Sequence, residues 1–490
     1  MSAHDAGPPQ PLCQKTTLLG ISEDHRDNLT HIHAQGVQYE VYWEVYRDGR
    51  FSEHIGQLHK QYGPIIRVNP NELHIIDPEF HDQIYNFSPD IDRPPVTLDN
   101  LQFTPSSTLH RVRRKAFDPY FSKPAVLKLE SVVRSSVEEL CQRLSEYKTS
   151  GQPASISVLA RCLTSDLITE YMFGSPYGHL THIEGSEAFF RAQSAMSASF
   201  FMWRENRFVD RMVKMTRLIP MSMLSPGSNM HLMMQFMQNL MQRVETIREQ
   251  SQSTSKAEGT GHKVLMEDYP HLDLPEKDKS LSVHFDTAGL FLTAGLETTA
   301  FTIEQAVFHL LDQPALLAKL QDELSGAIPQ PNKIASWTEL EKLPYLSAVI
   351  QESLRMSVGV MSRLPRKNTR HDMHYKEWVI PRNSYVGMSN RFTNYNAEVF
   401  PDPYTFNPDR WLQGNESKKL EKYMVSFSKG SRRCIGMHLA YAELYLMLAT
   451  MFRQFRFELY ETTRKAVDPK IDYFVPKPEH GTMGVRVLVK

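Results

Sequence analysis

The chain is poor in cysteine: Cys13, Cys141, Cys162 and Cys434 are scattered over 490 residues, with no Cys-x-x-Cys pair. That argues against a disulfide-built scaffold or a thiolate zinc cluster and fits a reducing compartment. Long apolar runs are missing too. The opening MSAHDAGPPQPLCQKTTLLG contains no signal-peptide core, and no stretch of about 20 residues reads as a membrane span. Charge of one sign is also missing, since 55 Lys and Arg offset 56 Asp and Glu. A formal net charge of -1 gives no global field to draw a nucleic acid, so any electrostatic partner must meet a local patch. No repeat period is found. The triplets at Asn28, Asn86 and Asn415 carry no weight as glycosylation sites without a secretory signal.

What is present is ordinary for a globular chain, 41% hydrophobic and 23% charged. Residues 1–38 read as a poorly ordered segment, and 39–490 as a single domain. Tyr39 to Tyr62 has helical periodicity, and Ile65 to Asp77 reads as a short hairpin broken at Asn-Pro-Asn. Most of Pro105 to Leu240 is helical in pattern. The Ser- and Gly-rich stretch Gln250 to Lys263 is a surface loop within one fold. A long helix is expected from about Ser280 to Leu311, another before Arg355, and short strands at Trp378 to Ile380 and Tyr385 to Met388. The expected class is mainly α with a minor β portion.

One of the four cysteines sits in FSKGSRRCIG (Phe427 to Gly436), a basic, glycine-flanked turn. Ile435, Leu439, Ala442, Leu446 and Phe452 recur at helical spacing after it, so Cys434 stands at a helix N-terminus. Free N–H groups and the helix dipole there favour an anion and are expected to lower the thiol pKa. Gly430 and Gly436 let the backbone crowd what the sulfur touches, Phe427 can keep water away, and Arg432 offers a fork for a carboxylate. A shielded thiolate beside such an arginine suits a haem iron and its propionate. A lone cysteine is more often structural, but the turn resembles the haem-binding loop of the cytochrome P450 family, FxxGxRxCxG, with Phe427, Gly430, Arg432, Cys434 and Gly436 in every fixed place. The resemblance implies that fold, with haem b (iron protoporphyrin IX) between a long central helix and the cysteine loop, and Cys434 as axial ligand of the iron.

Three further stretches are weak alone and stronger beside Cys434. In LPYLSAVIQESLRM, Glu352 and Arg355 share a helix face. Downstream, FPDPYTFNPDRW is a proline-stiffened meander. The resemblance makes Glu352, Arg355 and Arg410 a buried cluster bracing the haem loop. In FDTAGLFLTAGLETTAFTIEQAVFHLL (Phe285 to Leu311), apolar nearly all round, Ala294, Gly295, Glu297 and Thr298 interrupt the run. A threonine there could simply bond back to its own helix, with Glu297 solvated at one edge. AGLETT, however, resembles the family's oxygen-activation segment: Gly295 would open a bulge for oxygen, Thr298 would hydrogen-bond it, and Glu297 would relay protons from solvent. In LHRVRRKAFDPYF, His110 and Arg114 lie four apart and are expected to grip the propionates, although many members carry Trp where His110 stands. Of the arginines in SRLPR, position favours Arg366 over Arg363 as a further propionate contact.

Arg111, Lys115, Lys429 and Arg433 are expected to form a docking face for an acidic electron donor. The histidines of HDMH (His371 to His374) read as a polar surface turn rather than a metal pair. In detail the chain resembles fungal microsomal monooxygenases of secondary metabolism, the group that includes trichodiene oxygenase. That implies a lipophilic terpenoid, polyketide or alkaloid substrate and electrons from NADPH through NADPH-cytochrome P450 reductase, with cytochrome b5 as an optional donor. It implies a monomer at the cytosolic face of the endoplasmic reticulum if membrane-associated, and otherwise cytoplasmic. The N-terminal anchor such enzymes carry is not seen in this sequence, so the expectation is a truncated chain, another hold on the membrane, or a soluble protein. The methionine-rich Phe200 to Met241 could supply peripheral membrane contact or a pliable substrate entrance as readily as core helices. Expected pocket walls are residues 100–120, Phe200 to Met241, Phe291 to Thr299 and Ser357 to Met361, with no charged anchor for substrate. Competing functions are a reductase-independent haem-thiolate isomerase or dehydratase, and a non-catalytic haem or lipid carrier. The intact Glu297–Thr298 pair argues against both.

Overall fold

The computed structural model describes residues 39–95, 100–198, 221–252 and 263–490. The expected disorder of residues 1–38, and most of the Gln250 to Lys263 loop, lie outside them. So does residues 200–220 of the methionine-rich stretch.

The architecture follows from one element, the central helix Leu281–Asp312. No proline interrupts its 32 residues, so it runs roughly 48 Å at 1.5 Å per residue. It ends at Gln313, held extended (φ -127°, ψ 82°) by Pro314, which in turn opens the next helix, Pro314–Ala327. Leu292, Leu296, Ile303, Val307 and Leu310 are at most 1% exposed. Each such side chain contributes about 2 kcal/mol of burial. The helix therefore crosses the interior, and its chief neighbour is Ile156–Phe173, capped by the Ser155 hydroxyl and closed by left-handed Gly174. The expected bulge at Gly295 is not found: the helix is regular α there. A Cβ at Gly295 would lie 3.1 Å from Ile168 Cγ1, so the glycine serves close helix packing.

The helices Glu130–Ser150, Pro344–Ser357 and Met437–Gln454 complete the same core. The β portion is small. Ile65–Asn69 and Glu72–Ile75 form the expected hairpin, and Tyr385–Gly387 joins Glu72–Ile75 in parallel, pairing Leu73 with Val386. Ile471–Tyr473 and Val475–Lys477 form a tight hairpin turning at Phe474 (φ 71°). Two readings need correction. The helical run from Tyr39 breaks at Asp48 and Gly49, both with positive φ, before Phe51–Tyr62. His374 belongs to a short strand, Met373–Tyr375, paired with Trp378–Ile380, rather than to a turn.

Candidate functional site

The cysteine loop is fixed from below by buried charge. The Glu352 carboxylate, 0% exposed, accepts from Arg355 Nε (2.9 Å) and Nη2 (2.8 Å), Arg410 Nε (3.1 Å), Trp411 Nε1 (2.9 Å) and the Asn407 N–H (2.9 Å). Arg355 Nη1 in turn donates to the carbonyls of Asn394 and Pro403, both at 2.8 Å. Asn394 Nδ2 donates to Ser426 Oγ (2.9 Å), whose hydroxyl donates to Leu354 O (2.6 Å). The chain of bonds thus runs from the cluster to the residue before Phe427. Gly359, at φ +72°, meets the same point, since a Cβ there would sit 2.4 Å from Ser426 O.

Within the loop, the Cys434 N–H donates to Phe427 O (2.8 Å). Gly430 (φ +70°) presses against a distant segment, where a Cβ would fall 2.3 Å from Asn86 O. The expectation that Gly430 clears room at the sulfur is thus replaced: it clears room for backbone. The helix Met437–Gln454 starts three residues past Cys434. The thiol faces a cavity rather than bulk solvent, and burial pushes its pKa up, while the Gly436 N–H and Arg114 pull it down. The helix-end N–H of Gly436 thus pulls in the expected direction, while burial pulls the other way and is the larger effect.

That cavity, of about 370 Å³, lies between the loop and the central helix. Thr298, Thr299, Gly295 and Ala294 line it on one side, and Phe427, Arg432, Cys434 and Gly436 on the other. The Thr298 hydroxyl donates to Ala294 O at 2.9 Å. Glu297 is absent from the wall. Its carboxylate is buried behind the helix, accepting from Arg161 (3.3 and 3.4 Å) and from Lys477 (2.5 Å), while Arg161 also pairs with Glu304 at 2.7 Å. Burial opposes its charge, but Arg161 and Lys477 win and hold it at about 2. The solvated edge considered for Glu297 is therefore not observed.

Basic side chains converge on one end of the cavity. Arg93, His110, Arg114, Arg366 and Arg432 all line it. Arg114 Nε bonds Asp118 (2.5 Å) and an Nη donates to Arg433 O (2.6 Å). Arg432 gives its two Nη groups to Thr104 O (2.7 Å) and Pro105 O (3.0 Å), leaving its buried Nε without a partner. Among the described residues neither Arg366 nor Arg432 forms an ion pair; Arg366 donates to the carbonyls of Leu364 and Pro365 and lies over the Tyr85 ring at 5.3 Å. Burial, then repulsion from Arg432, Arg114, Arg366 and Arg93, drives His110 down to about 2. Burial and Arg366 lower Arg432 to about 9. Unpaired buried cations are costly, so this end is built for a ligand bearing acidic groups. The two propionates of haem fit that need, and Cys434 fits its iron. Arg363 lies elsewhere, bonded to Glu72 (2.8 Å) and Glu40.

The remaining wall is apolar: Phe103, Phe121, Phe236, Leu240, Phe285, Phe291 and Phe474. Sequence reasoning missed several contributors, Phe474, Asp286 and Glu443 among them. Phe474 enters from the C-terminal hairpin, which only its β-type alternation could have flagged. Asp286 lies on the wall although no charged anchor for substrate was expected. Glu443 also lines the cavity, and was visible as the only acid in Ile435 to Phe455. Of the expected docking residues, Arg111, Lys115 and Arg433 are exposed, whereas Lys429 pairs with Asp82 at 2.7 Å. Among the described residues no His, Cys, Asp and Glu cluster could hold a bare metal ion, and no helix is long and apolar enough to cross a membrane.

A family model for cytochrome P450 matches residues 40–483. The chain is 34% identical over 481 residues to cytochrome P450 monooxygenase MO6277 of Ascocoryne sarcoides, covering 92% of this chain and 91% of that one. It is 32% identical to conidiogenone synthase PchP450 of Penicillium rubens (92% and 91% covered) and 33% identical to tryptophan 6-hydroxylase fscE of Fusarium equiseti (92% and 89%).

Proposed function

From the premise that the chain belongs to the cytochrome P450 family, we propose a haem-thiolate monooxygenase that hydroxylates or epoxidises a lipophilic secondary metabolite of terpenoid, polyketide or alkaloid type. The cofactor is haem b, and the electrons come from NADPH through a reductase. The observation that carries the reading is the single cavity that brings together the Cys434 thiol, the Thr298 hydroxyl and a basic end where Arg366 and Arg432 form no ion pair among the described residues.

When bound, haem with a thiolate ligand supplies the activation of dioxygen. The residues divide the remaining work. Cys434 would ligate the iron, with Phe427 shielding the sulfur and Gly436, where a Cβ would meet nothing within 4 Å, leaving room beside it. Arg432, through its spare Nε, together with Arg366, His110 and Arg114, holds the propionates. Glu352, Arg355 and Arg410 brace the loop. Thr298 offers its hydroxyl to oxygen by giving up its bond to Ala294 O. Glu297 moves protons only by releasing Lys477, so its ion pairs gate that role. The phenylalanine-rich wall orients an apolar substrate and excludes water.

The same reading covers partners. Arg111, Lys115 and Arg433 face solvent beside the loop and suit an acidic donor, NADPH-cytochrome P450 reductase or cytochrome b5. Exposed Val41, Val45 and Tyr46 suit peripheral contact with the cytosolic face of the endoplasmic reticulum by a monomer.

The test is expression with a reductase and NADPH against terpene and polyketide intermediates under isotopically labelled dioxygen. Label must enter the product, and the reduced carbon monoxide complex must show the red-shifted Soret band of a thiolate ligand. Cys434→Ala should abolish that band. Its survival, or an unlabelled product, rejects the reading.

A further inference from the structure

Two acids line the cavity among the described residues, Glu443 beside Thr299 and Asp286. Asp286 stands on the central helix twelve residues before Thr298, about 18 Å along the axis. Its charge does not figure at Arg366, nor at Arg432, which feels Arg366 and Asp92. Thr293 follows on the same helix face, seven residues and about 10 Å further on. The Thr293 hydroxyl donates to Gly289 O (2.6 Å). Ser197, also on the wall, lies on the helix Ile183–Ala198, and its hydroxyl donates to Gln193 O (3.2 Å). Both hydrogens are thus turned to the helices' own backbone, and the two oxygens offer the cavity lone pairs. As a carboxylate, Asp286 likewise accepts and does not donate. It has a partner within the protein, and a carboxylate's roughly four acceptor positions let a ligand share it. Around these groups the wall is apolar, with Phe285, Leu290 and Leu240, whose methyl would lie 3.6 Å from a Cβ at Gly289.

We propose that Asp286 is a specificity-determining residue: it accepts from an amine or hydroxyl at one end of a lipophilic substrate whose other, apolar end lies at Thr298. This rests on the monooxygenase reading and names a substrate class within it. An acid on an apolar wall is costly to desolvate. A methyl group set against it returns nothing, whereas an O–H or N–H donor offsets that cost. An ammonium adds opposite charge and binds before a hydroxyl. A carboxylate head is turned away by like charge.

Four probes on one skeleton separate the heads: farnesylamine, farnesol, farnesoic acid and the hydrocarbon with a methyl head. Titrations of haem-loaded protein follow the Soret band. The wild type should bind the amine about tenfold more tightly than the methyl probe, with the alcohol between them and the acid weakest. Held by its ammonium at Asp286, the amine should shift the band to shorter wavelength, as water leaving the iron does, rather than to longer wavelength, as an amine on the iron does. Asp286→Asn keeps the shape and loses the charge. Amine affinity should fall about tenfold and the acid should gain, while the methyl probe, haem content and carbon monoxide spectrum stay unchanged. Asp286→Glu should keep the order of heads. General damage to the cavity would move all four probes the same way. Equal affinities in the wild type, an order that survives in Asp286→Asn, a red-shifted band with the amine, or loss of haem in both variants overturns the proposal. Labelled oxygen entering farnesol without any order of heads defeats this inference alone. The order of heads with no labelled oxygen in any product defeats the monooxygenase reading instead.

Discussion

Glu297 and Glu443 are buried equally, each 2% exposed, against the same turn of the central helix, yet the chain treats them oppositely. Glu297 sits between Arg161 and Lys477 and is held charged; Glu443 sits among apolar side chains with one hydroxyl and is held neutral. Burial acts on both in the same direction. The difference is whether cations accompany it. One carboxylate has become a structural counter-ion that must break bonds to act, whereas the other keeps a proton at the cavity wall.

A third buried acid sets the scale for breaking the comparison. Glu352 has five donors and no route to the cavity. Glu352→Gln should cost about 5 kcal/mol, because it strands two buried arginines. Denaturant unfolding together with loss of bound haem would register it. Glu297→Gln should cost about 3 kcal/mol at pH 7. Its folded pKa lies below the ordinary carboxylate range, so the wild-type advantage is full above that range. It should vanish as pH falls toward 2, which melting at stepped acid pH would reveal. Glu443→Gln should have the opposite sign, gaining about 3 kcal/mol at pH 7. The folded wild type keeps a proton that the unfolded chain gives up, so its stability drops between the ordinary carboxylate range and about pH 8. Parallel melts at pH 4 and pH 8 should show no gain at the first and the full gain at the second; a gain at both would place the benefit in packing. Thr298→Ala should shift stability by about 1 kcal/mol or less, while raising NADPH consumption per product.

How much of this could be read from the sequence depends on how local the signal was. The cysteine loop and the Glu352–Arg355 spacing were legible because backbone requirements fix residue types at fixed steps, and the central helix because its apolar run has no proline. The partner of Glu352 in the meander, Arg410, also followed. What failed was set by packing between distant segments. Gly295 looked like a helix weakness, but Ile168 explains it. The thiol of Cys434 was judged by its helix, whereas the surrounding burial decides its direction. Glu297 was expected to relay protons, and its ties to Arg161 and Lys477 were not legible because those residues lie 136 and 180 positions away. Phe474 reaches the cavity only because a C-terminal hairpin folds back over it.

The contact between Gly430 and Asn86 has one more consequence. Asn86 O also accepts from the Ser431 N–H (3.1 Å), and Thr104 and Pro105 accept from Arg432, so the early part of the chain serves as the mould in which the late loop sets. The thiol has no defined address until residues more than three hundred positions apart have met. Colour from a thiolate-bound porphyrin would then report the closing step of assembly, and a pale preparation would be one in which the two ends of the chain never came together.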